Sequence, residues 1–202
     1  INKKKFIYLI SPNKINKKFY HKLNKVLKSG KVSFFQMRLK KYSLKNKIII
    51  GKKIKQICKK NDVKFLINDD PTLTKKLNAD GCHLGQKDTD IIEARKILGN
   101  KIIGITCHNS IKLAKIAIKN KASYLAFGAF FLTKTKRARH KATTKILNEV
   151  KKLTKAPLVA IGGINSSNYK KLLLNKADFL AISGYIWNNK KLNPLETIKK
   201  LK

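Results

Sequence analysis

A chain of 202 residues with 43% hydrophobic content can fill one sizeable core, which points to a single domain over residues 1–202 and argues against two. The net charge of +38 invites a nucleic-acid reading, but lysine is spread through every segment and the four arginines are Arg38, Arg95, Arg137 and Arg139. No specific nucleic-acid surface is therefore expected, only loose attraction to polyanions at low salt. No apolar run is long enough for a membrane span, Phe6 to Ile10 is too short for a secretory leader, and Cys58, Cys82 and Cys107 lack disulfide or zinc spacing, so a cytoplasmic protein is expected.

Short apolar runs alternate with amphipathic segments from one end to the other, the signature of repeated βα units and a parallel sheet. The first two units pair strand Phe6–Ile10 with helix Lys17–Leu27 and strand Phe34–Arg38 with helix Leu44–Asn61. Next come Lys64–Ile67 with Pro71–Leu77, Gly81–Leu84 with Asp90–Leu98, and Ile102–Thr106 with Ser110–Asn120. The last three are Tyr124–Phe127 with Thr144–Leu153, Leu158–Ile161 with Ser167–Leu174, and Phe179–Ser183 with Pro194–Leu201. Asp70-Pro71, Asp90 with Glu93, and Asn193-Pro194 read as helix starts. Eight such units predict an α/β fold, a small (β/α)8 TIM barrel, with residues 128–143 as its longest loop.

Barrel enzymes carry their chemistry at the C-terminal ends of the strands. At the end of the second strand, Gln36, Arg38 and Lys40 share a face by the period of two, placing an amide and two cations together as an anion site. Asn68-Asp69-Asp70 ends the third strand and Gly85 to Asp88 follows the fourth. Adjacent strand tips lie about 4.8 Å apart, so Asp69 and Asp88 are candidate ligands for one Mg2+ that also meets substrate phosphate. Asp70 is assigned to helix capping instead. Thr106 after the fifth strand can bond a ring edge, whereas His83 reads as a satisfied interior histidine and His108 as a structural one.

The segment Thr133-Lys134-Thr135-Lys136 offers two hydroxyls and two ammonium groups to a diphosphate without being a Walker A sequence. Gly162, Gly163 and Gly184 suit a second phosphate site after strands seven and eight. Two anion pockets with a carboxylate pair between them suggest a diphosphate reacting with a monophosphate.

The stretches Gln36 to Lys40, Ile67 to Asp69, Asp80 to Asp88, Thr133 to Lys136 and Ala160 to Ile164 together resemble the thiamine-phosphate synthases, and the resemblance spans nearly the whole chain. It implies coupling of hydroxymethylpyrimidine diphosphate to hydroxyethylthiazole phosphate with Mg2+, by a dissociative substitution that releases pyrophosphate. By the same resemblance Gln36 and Thr106 meet the pyrimidine, and Arg38, Lys40, Asn68 and Lys136 the diphosphate, with Arg38, Lys40 and Lys136 as the catalytic cations. Asp69 and Asp88 would hold the metal. Thr133 and Thr135 would bind thiazole phosphate or diphosphate, and Gly163, Ser183 and Gly184 would complete the thiazole-phosphate pocket.

The sequence departs from the family pattern at Ala129 and Leu132, where many members have proline, and in the lack of a glycine between Arg137 and Thr144. A thiazole tautomerase on the same barrel is the nearest alternative, with a basic nucleic-acid-binding protein as a more distant one. The expected partners are small-molecule substrates, not a membrane; a homodimer is left open.

Overall fold

The structure, a computed structural model, describes residues 5–132 and 140–202. Eight parallel strands close on themselves in chain order: β1 (Ile7–Ile10), β2 (Val32–Met37), β3 (Lys64–Asn68), β4 (Gly81–Leu84), β5 (Ile102–His108), β6 (Tyr124–Gly128), β7 (Leu158–Ile161) and β8 (Phe179–Ile182). Closure comes from β1 pairing with β8, Ile7 opposite Leu180 and Leu9 opposite Ile182. Between the strands lie α1 (Lys17–Leu27), α2 (Leu44–Lys60), α3 (Pro71–Lys76), α4 (Ile91–Leu98), α5 (Ile111–Lys119), α6 (Thr144–Lys151) and α7 (Tyr169–Leu174). After β8 come the four-residue α8 (Gly184–Trp187) and then α9 (Pro194–Lys199).

The expected (β/α)8 barrel is the observed fold. It has two apolar regions because alternate residues of each strand face opposite ways. Outward residues such as Leu9, Phe35, Ile67 and Leu125 pack under the helices, whose buried stripes include Leu23, Val26 and Ile54. Inward residues such as Tyr8, Leu66, Tyr124, Val159 and Ala181 fill the barrel itself. Gly104 makes that filling possible: a Cβ there would lie 1.8 Å from the Tyr124 ring.

Helix starts follow the expected cap chemistry. Asp70 accepts the Leu73 amide at 2.8 Å, Asp90 that of Ile92 at 2.7 Å, and Asn193 with Glu196 forms a reciprocal capping box.

Three boundaries move in ways that affect the site. β2 ends at Met37, so the period of two covers Gln36 but not Arg38 or Lys40, which leave the strand before any alternation can aim them. β5 runs on to His108 through an irregularity at Cys107, with His108 at φ 54°. Ser183 lies outside β8 and precedes α8, a turn of helix too short to show a period of its own.

Candidate active site

The tips of β2, β3 and β4 build one continuous polar cluster. Gln36, buried at the barrel mouth, donates its amide N–H to the Asn68 side-chain oxygen at 2.8 Å. One residue on, the Lys40 ammonium lies 2.8 Å from an Asp69 carboxylate oxygen. Asp69 in turn shares a hydrogen bond with the Asp88 carboxyl, whose Oδ2 also accepts the Gly85 amide at 2.7 Å. The sequence expectation that Asp69 and Asp88 meet is thus what the structure shows.

Asp69 takes a left-handed conformation, φ 63°, which carboxamide and carboxylate residues tolerate better than most, and its amide is fixed on the His83 carbonyl at 2.8 Å. That turn swings the side chain from the strand axis toward Lys40 and Asp88. A cavity of about 290 Å3 opens beside it, lined by Lys40, Asn68 and Asp69 together with Lys47 of α2.

Two carboxyls this close cannot both ionise freely, and the environment separates them. Burial pushes Asp88 up, and the hydrogen bond with Asp69 pushes it further. Burial alone would also raise Asp69, but the hydrogen bonds from Lys40 and Asp88 hold it below the usual carboxylate range. The pair is thus split, Asp69 held toward its charged form and Asp88 toward its neutral form. Among the described residues no group of three or more acidic, histidine or cysteine side chains could hold a metal, so a cation here would have these two carboxylates and complete its shell from elsewhere.

Arg38 is positioned by its backbone. Its amide donates to the Ser11 hydroxyl at 2.9 Å, and the Ser11 amide bonds the Gln36 carbonyl at 2.9 Å. The half-buried Arg38 guanidinium has no partner among the described residues, which leaves it available to an anion.

Thr106 stands inside the mouth on β5, its hydroxyl 2.9 Å from His83 Nε2. His83 Nδ1 is 2.8 Å from the Tyr124 hydroxyl, which lies 2.8 Å from that of Tyr8. The expectation of a satisfied interior histidine holds: burial lowers its pKa to about 4, against a smaller pull upward from Asp69, so the ring is neutral at pH 7. His108 lies with its ring 4.2 Å from that of His140.

The opposite side of the rim is made of backbone. Phe130 and Phe131 donate their amides to the Ile161 and Gly162 carbonyls, both at 3.1 Å, docking the start of the β6 loop on the end of β7. The far stem returns through Ala129 and His140, paired at 2.9 Å. Glycine at 163 is required twice over: φ is 63°, and a Cβ would lie 2.3 Å from the Leu132 carbonyl oxygen. Gly162 is as tight against Ala129, at 2.4 Å. These glycines therefore admit the loop. Ser183 donates its hydroxyl to the Ser11 carbonyl at 3.1 Å, tying the β8 end, with Gly184 beside it, to β1. Thr133, Thr135 and Lys136 lie outside the described residues.

Residues 7–186 match the family model described as Thiamine monophosphate synthase. The chain belongs to this family. It is 70% identical over 200 residues to the thiamine-phosphate synthase of Pelagibacter ubique (strain HTCC1062), covering 98% of this chain and 97% of that protein. The thiamine-phosphate synthase of Erythrobacter litoralis (strain HTCC2594) is 41% identical over 187 residues, covering 90% of this chain and 88% of that one. Among solved structures, a thiamine phosphate pyrophosphorylase from Pyrococcus furiosus superposes with a TM-score of 0.86 at 28% identity, covering 99% of this chain and 95% of that one.

Sequence reasoning overlooked two parts of this thiamine monophosphate synthase rim. Ser11 received no role, although a hydroxyl one residue past the first strand is where a tie to the next strand tip would be sought. Lys47 could not have been found by pattern, since it is one lysine among many on a helix and is singled out only by the cavity it lines.

Proposed function

We propose that the chain is a thiamine-phosphate synthase, a transferase that joins hydroxymethylpyrimidine diphosphate to hydroxyethylthiazole phosphate and releases pyrophosphate. The observation that carries this reading is the Lys40–Asp69–Asp88 cluster beside the Gln36–Asn68 amide pair, a charged diphosphate end next to a neutral ring end on one rim. A tautomerase acting on a thiazole phosphate alone has no use for that cluster, and the relatives' names agree with the synthase.

Asp69 and Asp88 fit Mg2+: both are hard oxygen donors, they lie side by side, and a cation between them would relieve the mutual repulsion that raises Asp88. When bound, the ion would offset charge on the departing pyrophosphate. Arg38, Lys40 and the Asn68 amide hold the diphosphate in the same way, by charge and hydrogen bonds aimed at a leaving group whose charge grows as its C–O bond breaks. Gln36 and Thr106 orient the ring so that its methylene carbon faces the incoming thiazole. The electron-rich aminopyrimidine carries the resulting cation and the thiazole nitrogen captures it, so no side-chain nucleophile is needed.

Gly163 with the Ser183–Gly184 backbone receives the thiazole phosphate, and Thr133, Thr135 and Lys136 complete the site from the β6 loop. We place the reaction in the cytoplasm; no helix among the described residues is long and apolar enough to cross a membrane.

The test is direct. Protein, both substrates and Mg2+ are incubated, and thiamine phosphate and pyrophosphate are quantified by chromatography. Equal amounts of the two products, abolished by omitting either substrate, are expected; no thiamine phosphate would refute the proposal.

A further inference from the structure

Four polar side chains cross the barrel interior in a line: Tyr8, Tyr124, His83 and Thr106, linked by contacts of 2.8, 2.8 and 2.9 Å. Tyr8 and Tyr124 are 2% and 3% exposed, and the Tyr124 ring stacks on His83 with an interplanar angle of 12°. A neutral imidazole has one N–H, so it passes hydrogen bonding in one sense only, accepting on one nitrogen and donating from the other.

The two senses differ at the buried end. If Thr106 donated to Nε2, then Nδ1–H would donate to Tyr124 and Tyr124 to Tyr8. The Tyr8 proton would then be buried with nothing to receive it, because Tyr8 has no second hydrogen-bond partner among the described residues. A buried donor left without an acceptor keeps the full penalty of losing its bond to water. In the other sense Tyr8 donates to Tyr124, Tyr124 to Nδ1, and Nε2–H to the Thr106 oxygen. Every interior proton is then used, and the one left over is the Thr106 hydroxyl proton at the barrel mouth.

We infer that the dead end at Tyr8 makes this chain one-way, fixing His83 as the Nε2–H tautomer and Thr106 as a hydrogen-bond donor to a ligand acceptor in the mouth. Resting on the synthase reading, the acceptor is a ring nitrogen of the pyrimidine and not its exocyclic amine. The amine instead falls to an acceptor such as the Gln36 carbonyl oxygen, since the Gln36 NH2 is engaged on Asn68. Tyr8, Tyr124 and His83 are then positioning residues: they set which edge of the ring Thr106 can hold without touching it.

Two measurements test this, and they fail separately. In the unaltered protein with 15N-labelled histidine, the ring-nitrogen shifts and couplings of His83 report the tautomer without any ligand. Nε2–H is expected, also in Tyr8→Phe, where the Tyr124 proton has no acceptor but Nδ1; an Nδ1–H tautomer in the unaltered protein overturns the inference.

The second measurement is calorimetric binding of hydroxymethylpyrimidine diphosphate and two analogues, one with a ring nitrogen replaced by C–H and one lacking the amine. The ring-nitrogen replacement is expected to weaken binding about tenfold, the fold-change of one hydrogen bond, and to lose that penalty in Thr106→Val. The amine deletion should cost the same in both proteins. In His83→Asn the ring-nitrogen penalty should shrink, while the KM for the thiazole phosphate stays unchanged. Should Thr106→Val abolish the amine penalty instead, the assigned sense is wrong. Failure of the unaltered protein to bind any of the three would overturn the synthase reading, with the Nε2–H signal still deciding the chain's direction.

Discussion

The two halves of the barrel rim are built from different materials. On the β2–β4 side the polar groups are side chains, held in short contacts at strand tips where one residue leads to the next, Gln36 to Asn68 and Lys40 to Asp69 to Asp88. On the β6–β8 side they are backbone groups, made accessible by glycines against which a loop is docked. One half holds charge in place before any ligand arrives, whereas the other offers a shape that depends on the seating of the β6 loop. Substitutions should therefore act on chemistry in the first half and on loop placement and stability in the second.

The largest break is expected at Asp69. Asp69→Asn keeps a residue that accepts φ 63° and removes the charge that pairs with Lys40 beside Asp88. Turnover should fall about a thousandfold, roughly 4 kcal/mol of transition-state stabilisation, with an unchanged circular dichroism spectrum. Near-normal turnover by steady-state assay would remove the carboxylate pair from the mechanism.

The pair also sets a pH dependence. Asp69, lowered in the folded protein, contributes stability above the ordinary carboxylate range that is lost as pH falls through its own lower value. Asp88, raised, works oppositely: its stability is full below the ordinary range and is lost as pH rises toward and through its folded value. Above that point two adjacent charges repel, and a divalent ion has most to offer. Mg2+ at a hundredfold excess over its Kd should then add about 2.7 kcal/mol, and much less at acid pH where Asp88 holds its proton. Melting curves with and without Mg2+ across that range measure it, and an equal shift at every pH would argue against binding at this pair.

On the other half, Gly163→Ala puts a Cβ 2.3 Å from the Leu132 carbonyl oxygen at a positive φ. A stability loss of about 1–3 kcal/mol is expected, with a raised KM for the thiazole phosphate and little change for the pyrimidine. Thermal melts and substrate titrations distinguish this from a loss spread over both substrates, which would show that the two halves are not separate. The smallest effect belongs to Ser11→Ala, which takes away the acceptor of the Arg38 amide. About 1 kcal/mol of stability should go, with a modest rise in the KM for the diphosphate substrate, readable by denaturant titration and initial rates.

Much of this is legible in the amino-acid sequence. The apolar runs that became β4 and β7 have the expected ends because strand-ending residues bound them, Asp80 and Gly85 around β4 and Pro157 and Gly162 around β7. Asp70, Asp90 and Asn193 were readable because capping is local, a side chain reaching its own helix within three residues. The meeting of Asp69 with Asp88 was readable because neighbouring tips in a parallel barrel are neighbours in space. Arg38 was less so: alternation stops at Met37, and a hydrogen bond from β1 sets its path instead.

By itself the sequence determined the repeating βα order, the closed barrel that this order favours, and the roster of charged and hydroxyl groups at strand ends. These follow from periodicity and local chemistry, which act over a few residues. Tertiary structure alone decided the contacts between distant parts of the chain: Tyr8 with Tyr124, 116 residues apart, Ser183 with Ser11, 172 apart, and the glycine Cβ positions that a loop occupies. Such contacts depend on barrel closure and on the room one residue leaves for another, and no local pattern in the chain encodes either.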